Sequence, residues 1–314
     1  MKKDKKNTIA VLLLGFGAPD SPLAIEPFLR NVFSHAKVEI TDEKIRETHR
    51  KYELIGGSSP LLKITREQAS LLEKKLNSEG GNFKVYIGMR YWHPFIHETV
   101  KEIINDEITN IIALSLSPFY SKITTGSNIR ELKRVLSKYE KEIKITYIDS
   151  WYDNRSYLNA LSEKLREGLS LFPEDRRSNV QVIFSAHSLP KKVIEEGDPY
   201  LRQLETTIKE IIKQTGPISW HLSFQSRGAS GEWLEPETDV LIEKLAEKNC
   251  REILLVPISF ISDNIEILYD IDIVFQKLAE SRGITLCRTS CFNSSPEFID
   301  VLHNVVIEHI DRNR

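Results

Sequence analysis

Short runs of apolar and β-branched residues recur along the chain, and charged segments separate them. The runs have the near-continuous hydrophobicity of strands that are buried on both faces, as in parallel sheets. Most of the intervening segments repeat apolar residues at the helical period, as 64–76 does. Alternating strands and helices predict parallel sheets covered on both faces by helices. The predicted strands are 8–15, 83–89, 110–117, 143–149, 180–187, 218–224, 252–259 and 284–288.

These strands divide four and four around a long predicted helix at 154–172. We therefore predict an α/β protein of two Rossmann-like, doubly wound halves, whose parallel sheets face a central cleft. The first half comprises residues 1–153 and the second comprises 154–295. An amphipathic pattern predicts a last helix, within 296–314, that packs back on the first half.

Aromatic residues follow several predicted strands, at the edge of the sheet where open α/β folds bind ligands. Phe16 lies between two glycines after the first strand, and Tyr91 follows the second. Tyr120 follows the third strand. Aromatic clusters usually belong to a core, but loops after strands are exposed, and a flat apolar ligand would explain aromatic side chains there. The G-x-G around Phe16 lacks the third glycine of a dinucleotide-binding motif, which disfavours a nucleotide-dependent oxidoreductase.

A histidine ends the fifth predicted strand, which has the sequence VQVIFSAH (180–187). Small residues, Ser185 and Ala186, come directly before His187, and Pro190 stops regular structure just after it. His187 is therefore predicted at the ligand-binding edge of a parallel sheet. Position alone leaves two interpretations open, an ordinary loop histidine and a residue of a functional site.

Two carboxylates follow the seventh predicted strand. Glu266 and Asp270 are four residues apart, so a helix starting near Ser262 or Asp263 as its cap would place both on one face. Such a pair usually occupies a solvated face. In this helix apolar residues surround it, and a carboxyl group near apolar surface has a raised pKa that suits proton transfer near neutrality.

A second pair with helical spacing is His93 and His97 in HPFIH. Their separation of four residues is that of a metal-binding pair on one face of a helix. The glutamate of an H-E-x-x-H motif is missing between them, so a metal site here is the weaker alternative.

Composition narrows the possible partners and compartments. The chain has 43 Lys and Arg against 45 Asp and Glu, which gives no basic field for nucleic acid. Its apolar runs are too short to span a bilayer, and the first run follows a short charged tail without a signal-peptide cleavage site. Three cysteines are too few for a four-cysteine iron–sulfur cluster and, without CxxC spacing, are typical of a reducing cytoplasm.

Nine segments, in order and across nearly the whole chain, resemble those of ferrochelatases, which insert Fe²⁺ into a porphyrin to make haem. Each segment alone is a weak signal, and their joint occurrence in order is specific. They are LLLGFGAPDSP (12–22), YELIGGSSPL (52–61), MRYWHPFI (89–96), LSPFYSKITTGS (116–127), FSAHSLP (184–190), GDPY (197–200), SFQSRGASGEWLEPET (223–238), FISDNIEILYDID (260–272) and SSPEFID (294–300).

The resemblance implies a porphyrin in the predicted cleft and roles for residues of the matching motifs. His187 and Glu266 match the catalytic and metal-binding pair, which we expect on opposite walls at the porphyrin centre. Asp270 matches the next acidic position and suggests a carboxylate path from solvent to the centre. The expected substrate-binding residues are Phe16, Arg30, Tyr52, Ser59, Arg90, Tyr91 and Tyr120.

Two departures from the family pattern bear on mechanism and substrate. Asn264 stands where many relatives have histidine, which removes one potential metal or proton ligand. Phe16 stands where the coproporphyrin-using Gram-positive type has a tyrosine able to ligate iron. The RYWHP segment and TTGS resemble protoporphyrin-using members, so we favour protoporphyrin IX and leave coproporphyrin III open.

The resemblance also implies substrates and partners. We expect Fe²⁺ as a substrate, no tightly bound cofactor, no iron–sulfur cluster and no nucleic acid. We expect a cytoplasmic monomer, either free or peripheral to a membrane, with transient contacts to other haem-pathway enzymes left open. One alternative is a chelatase that inserts cobalt or nickel into sirohydrochlorin, and another is a porphyrin or haem carrier. A carrier would need no carboxylate facing the histidine.

Overall fold

Parallel pairing organises the strands into two four-stranded sheets, with the orders β2-β1-β3-β4 and β6-β5-β7-β8. The computed structural model describes residues 8–36, 38–78, 80–140, 142–228 and 231–312. The prediction of an α/β protein with two parallel sheets is confirmed, while the charged tail before the first strand lies outside the described residues. The strands are β1 (Ile9–Gly15), β2 (Phe83–Met89), β3 (Asn110–Ser115), β4 (Lys144–Ile148), β5 (Gln181–His187), β6 (Ser219–Gln225), β7 (Glu252–Val256) and β8 (Thr285–Arg288).

Both sheets have the same topology, because in each the first strand lies between the second and the third. In the first sheet the second strand therefore lies on one side of β1 and the third on the other, and in the second sheet the same reversal of strand order occurs at β5. Such a reversal opens a crevice at the carboxyl ends of the two strands beside it, which is where open α/β sheets bind ligands. The ends of β5 and β7 thus mark one candidate crevice, within the second sheet's unit.

The first compact unit comprises Met1–Trp151 and Asn293–Arg314. Its last helix, α11 (Pro296–Arg312), packs against α3 (Leu61–Ser78), where Lys75 Nζ lies 2.6 Å from Asp300 Oδ1. The rings of Trp151 and Phe298 are 6.1 Å apart. Its helices are α1 (Ile25–Ala36), α2 (Asp42–Leu54), α3 (Leu61–Ser78), α4 (Ile96–Asn105), α5 (Thr125–Leu136) and α11 (Pro296–Arg312), with a 3-10 helix at Pro22–Ala24.

The second unit comprises Tyr152–Phe292. One face of its sheet packs against helices that bring Ile242, Ile267 and Ile271 into a fully buried cluster. No helix among the described residues of either unit is both long and apolar enough to cross a membrane. The helices of this unit are α6 (Arg155–Ser170), α7 (Lys191–Glu195), α8 (Tyr200–Thr215), α9 (Thr238–Glu247), a π-helix (Glu266–Phe275) and α10 (Gln276–Ser281), with a 3-10 helix at Glu174–Asn179.

Candidate active site

His187 is the last residue of β5 and lies at the crevice of the second unit. Its backbone is fixed on both sides by hydroxyl groups. The His187 N–H donates to Ser259 Oγ at 2.9 Å, and the Tyr200 hydroxyl donates to the His187 carbonyl at 3.0 Å. Because that bond uses the only hydroxyl proton of Tyr200, its hydrogen bond with Ser259 must be donated by Ser259. The three groups form a closed ring of hydrogen bonds that holds the end of β5.

Glu266 opens the π-helix that follows β7. The i→i+5 pattern is seen in the Gln276 N–H, which donates to the Ile271 carbonyl, and such helices are rare and frequent at functional sites. The cap differs from the prediction, since Asn264 Oδ1 accepts from the Glu266 N–H at 2.8 Å in place of Ser262 or Asp263. Asn264, the departure from the family pattern, therefore has a structural role at the start of this helix.

The structure joins His187 and Glu266 directly. His187 Nδ1 lies 2.8 Å from Glu266 Oε2, and the two side chains are 38% and 25% exposed. The expectation that they occupy opposite walls is wrong, because β5 and β7 are paired neighbours and the loop after β7 returns Glu266 to the end of β5. Within the described residues, the other ring nitrogen, Nε2, has no hydrogen-bond partner.

This contact shifts the pKa values of both groups. Burial alone would lower the pKa of His187, but the Glu266 carboxylate outweighs burial and raises it above its ordinary value. Burial alone would raise the pKa of Glu266, but His187 outweighs it and lowers that pKa. The prediction of a raised carboxyl pKa is therefore wrong for Glu266. Its contact with the Nδ1–H of His187 favours the carboxylate form.

Asp270 lies one turn along the same helix and is linked to Glu266 by a hydroxyl group. The Ser226 hydroxyl donates its proton to Asp270 Oδ2 at 3.1 Å, and the same hydroxyl, as a second and alternative donor position, helps to lower the pKa of Glu266. Ser226 follows β6 in the left-handed region, with φ of 62°, a conformation uncommon for residues other than glycine. The structure thus brings His187, Glu266 and Asp270 together, as the sequence predicted for the two carboxylates.

A buried polar cluster at the ends of β5 and β6 contacts the backbone of Glu266. Gln225 is 4% exposed, accepts from Ser185 Oγ at 2.6 Å and donates to the Glu266 carbonyl at 3.1 Å. Thr238 Oγ1 lies 3.0 Å from Ser185 Oγ and 2.8 Å from Ser223 Oγ. Sequence reasoning missed these residues, together with Tyr200, Ser226 and Ser259. For Ser185, Ser223 and Gln225 the available signal was a polar side chain inside an otherwise apolar strand.

Two of the aromatic residues predicted at the first sheet edge, Phe16 and Tyr91, lie in one cluster in the first unit. Phe16 is 48% exposed, and its ring centroid lies 4.5 Å from that of Tyr91 and 6.2 Å from that of Phe28. Gly17 makes the turn possible, with φ of 90° and space for its Cα only, because an added Cβ would lie 3.0 Å from Trp92 N. A partly exposed aromatic edge of this kind suits contact with a flat apolar ligand.

Arg90 lies beside this cluster, with its guanidinium 5.1 Å from the centre of the Tyr91 ring. Its Nε donates to Ser127 Oγ at 3.4 Å, and its Nη1 is 3.8 Å from Glu131. A hydrogen bond from Arg134, with further attraction by Arg90, lowers the pKa of Glu131. Arg90 therefore joins a charged network with Glu131 and Arg134, and its guanidinium packs on the ring of Tyr91.

The other predicted substrate-binding residues differ in exposure. Arg30 is exposed and paired with Glu26, with Nη2 at 2.6 Å from Oε1. Tyr52 and Ser59 are buried, whereas Tyr120 is half-buried. A substrate carboxylate would have to replace Glu26 to bind Arg30, and the substrate contacts of Tyr52, Ser59 and Tyr120 stay predictions.

The histidine pair of HPFIH has local partners. His93 Nδ1 lies 2.9 Å from Glu98 Oε2, which also accepts from the Phe95 N–H at 2.8 Å, and the His97 ring stacks on Phe95. These contacts organise the start of α4. Across the described ranges, no group of three or more His, Cys, Asp or Glu side chains is arranged to hold a metal ion.

Comparison with solved structures defines the class of fold. "SirB from Bacillus subtilis with Fe3+" matches with a TM-score of 0.60 at 14% identity, over 96% of this chain and 95% of that chain. The sirohydrochlorin chelatase SirB from Bacillus subtilis subspecies spizizenii, in complex with cobalt, gives 0.59 at 13% identity, over 97% and 96%. At this identity the likeness establishes the fold alone.

Comparison with sequences defines the family. The family model described as Ferrochelatase matches residues 8–310. The ferrochelatase of Geotalea uraniireducens (strain Rf4) is 44% identical over 312 residues, which cover 95% of this chain and 96% of that protein. The ferrochelatase of Aquifex aeolicus (strain VF5) is 38% identical over 310 residues, which cover 94% and 97%. The chain therefore belongs to the ferrochelatase family.

Membership of this family makes the chain a metal-chelating lyase of haem biosynthesis, with Fe²⁺ and a porphyrin as its substrates. The family membership predicted from nine short motifs is confirmed. The sirohydrochlorin chelatase, which was an alternative on sequence grounds, shares the fold.

Proposed function

We propose that the protein inserts Fe²⁺ into protoporphyrin IX, forms haem and releases the two pyrrole protons. The observation that carries the proposal is the 2.8 Å contact between His187 Nδ1 and Glu266 Oε2 in a chain of the ferrochelatase family. Neutral His187 keeps its proton on Nδ1, which donates a hydrogen bond to the Glu266 carboxylate, and so presents the lone pair of Nε2. Nε2 then accepts a pyrrole proton, and the Glu266 carboxylate stabilises the imidazolium that forms.

The second proton requires another acceptor, and we assign it to the carboxylates of the π-helix. Asp270 lies next to Glu266 and shares Ser226 with it, so a proton taken up at this face reaches a half-exposed carboxylate. His187 and Glu266 are also the proposed ligands of the incoming Fe²⁺, since imidazole and carboxylate bind this ion. Because Nε2 has a single lone pair, His187 would bind the ion first and accept the pyrrole proton after the ion has passed to the porphyrin. The same face would thus serve both metal entry and proton departure.

We assign recognition of the macrocycle to the first unit. Phe16 and Tyr91 offer a partly exposed aromatic surface, and Arg30 can exchange Glu26 for a propionate through charge-assisted hydrogen bonds. Binding that favours a bent macrocycle over a flat one would expose the nitrogen lone pairs and lower the barrier to insertion. Phe16 cannot ligate iron as a tyrosine could, which supports protoporphyrin IX over coproporphyrin III.

The proposal is tested by anaerobic Fe²⁺ insertion with the two porphyrins measured side by side, followed by the change in porphyrin absorbance. We expect a higher kcat/KM for protoporphyrin IX. A higher value for coproporphyrin III would overturn the substrate assignment, and no insertion into either would overturn the proposed reaction. Sedimentation of the same preparation tests the further proposal that the enzyme is a monomer. Fractionation of cells tests its proposed cytoplasmic location, either free or peripheral to a membrane.

A further inference from the structure

Arg288, the last residue of β8, makes a fork-shaped contact with the π-helix. Its Nε donates to Asp272 Oδ1 at 2.5 Å, and its Nη2 donates to Asp272 Oδ2 at 2.8 Å. The same Nη2 lies 3.6 Å from Asp263 Oδ1, and Nη1 donates to the Thr289 carbonyl at 3.2 Å. All three guanidinium nitrogens are therefore engaged, and their partners are two acidic side chains and the end of the sheet.

The contact is partly buried and directional. The Arg288, Asp263 and Asp272 side chains are 20%, 21% and 35% exposed, so water and salt screen them less than an exposed pair. Two parallel N–H to carboxylate bonds fix orientation as well as distance, which a lysine ammonium cannot do. The Thr289 N–H donates to the Leu255 carbonyl of β7, which ties the base of the contact to the sheet.

The positions of the two acidic residues matter, because they bracket the candidate catalytic carboxylates. Asp263 precedes the π-helix and Asp272 lies within it, while Glu266 and Asp270 come between them. Rewinding this segment from i→i+5 to i→i+4 bonds would rotate its side chains about the axis, and Glu266 would leave its place beside His187. A cation that hydrogen-bonds Asp272 and forms an ion pair with Asp263 opposes that rotation.

The opposite flank of the helix is held from the end of β6. Gln225 donates to the Glu266 carbonyl, and Ser226 donates to Asp270. Those contacts touch the carboxylate residues themselves, whereas Arg288 contacts neither of them in the described residues. Arg288 therefore meets the site through the helix and not by direct contact.

We propose that Arg288 is a positioning residue, which fixes the rotation of the π-helix by hydrogen-bonding Asp272 and attracting the Asp263 carboxylate, and so aims Glu266 at His187. Its effect on turnover rests on the proposed function. Its effect on the His187–Glu266 contact does not, and the experiment measures both.

The experiment compares the wild-type enzyme with Arg288→Gln, Arg288→Lys and the near-isosteric Asp272→Asn. Arg282→Gln is the matched control, because Arg282 Nη2 binds Glu243 Oε1 at 2.7 Å on an exposed surface of the same unit. Circular dichroism gives the folded fraction, and kcat and KM for Fe²⁺ insertion are expressed per folded enzyme. The Nδ1–H resonance of His187, in protein labelled with ¹⁵N-histidine, reports the contact with Glu266 without any substrate.

We expect Arg288→Gln and Asp272→Asn to lower kcat about 10- to 100-fold with KM unchanged, the usual effect of losing a group that orients a reacting one. The kcat of Arg288→Lys should lie between those of these two variants and that of wild type. The His187 Nδ1–H resonance should move or broaden most in the variants with the lowest kcat. Arg282→Gln should change neither quantity. An unmoved resonance, or an unchanged kcat per folded enzyme, in both Arg288→Gln and Asp272→Asn would overturn the inference. A wild-type enzyme without insertion activity would overturn the proposed function, and the resonance would then decide the inference alone.

Discussion

Replacement of Tyr200 by phenylalanine tests how the end of β5 is held. Tyr200 is 4% exposed, and its hydroxyl donates to the His187 carbonyl at 3.0 Å and accepts from Ser259. Tyr200→Phe removes both bonds and leaves the ring in place. Each buried hydrogen bond contributes about 0.5–1.5 kcal/mol, so the free energy of unfolding should fall by about 1–3 kcal/mol.

The assay is urea unfolding followed by circular dichroism, with kcat measured on the same preparations. Tyr157→Phe is the control, because that tyrosine is also buried in the same unit but donates over a longer 3.4 Å to the Ile258 carbonyl. We expect Tyr200→Phe to lose more stability than Tyr157→Phe, with a reduced kcat in Tyr200→Phe alone. A loss below about 0.5 kcal/mol, the range of neutral surface changes, would refute the role given to the hydroxyl ring.

Two further variants test the charges of the site. Glu266→Gln removes the carboxylate that raises the His187 pKa, so that pKa, measured by NMR of the metal-free protein, should fall, and the rise of kcat with pH should move to lower pH. Pairing lowers the pKa of Glu266 from 4.5 and raises that of His187 from 6.5. The free energy of unfolding of wild type should therefore exceed that of Glu266→Gln by most between pH 4.5 and pH 6.5, where both groups are charged. The advantage should decline as pH rises through the His187 pKa or falls through that of Glu266, and a pH-independent difference would contradict the pairing. Arg30→Ala should raise the porphyrin KM by about tenfold, the loss of one charge-assisted bond, with kcat unchanged; an unchanged KM would remove Arg30 from the binding site.

The elements of this fold are largely predictable from local pattern. Fully buried parallel strands read as continuous apolar runs, and β5 ends at His187, where small residues and a proline follow the run. The spacing of Glu266 and Asp270 correctly predicted that one helix carries both. These features depend on residues close together in the chain, so the sequence alone contains the necessary information.

The contacts that make the site depend on the order of strands in the sheet. His187 and Glu266 are 79 residues apart, and only the pairing of β5 with β7 brings them together. The predicted direction of the Glu266 pKa was wrong for the same reason. Burial without a partner would have raised that pKa, and the sequence did not reveal His187 as the partner. Spacing also cannot separate the i→i+5 helix from the i→i+4 form, because residues four apart share a face in either. Arg288, which binds this helix from another strand, gave no local signal at all.

The central claim is that His187 accepts a pyrrole proton during metal insertion. The most direct test is the single-turnover rate of anaerobic Fe²⁺ insertion into bound protoporphyrin IX, compared between wild type and His187→Ala. General acid–base catalysis of this kind contributes about 10²–10⁴-fold, so the variant should fold, bind porphyrin and insert iron more slowly by that factor. An insertion rate within a few-fold of wild type, in a variant that binds porphyrin normally, would contradict the account.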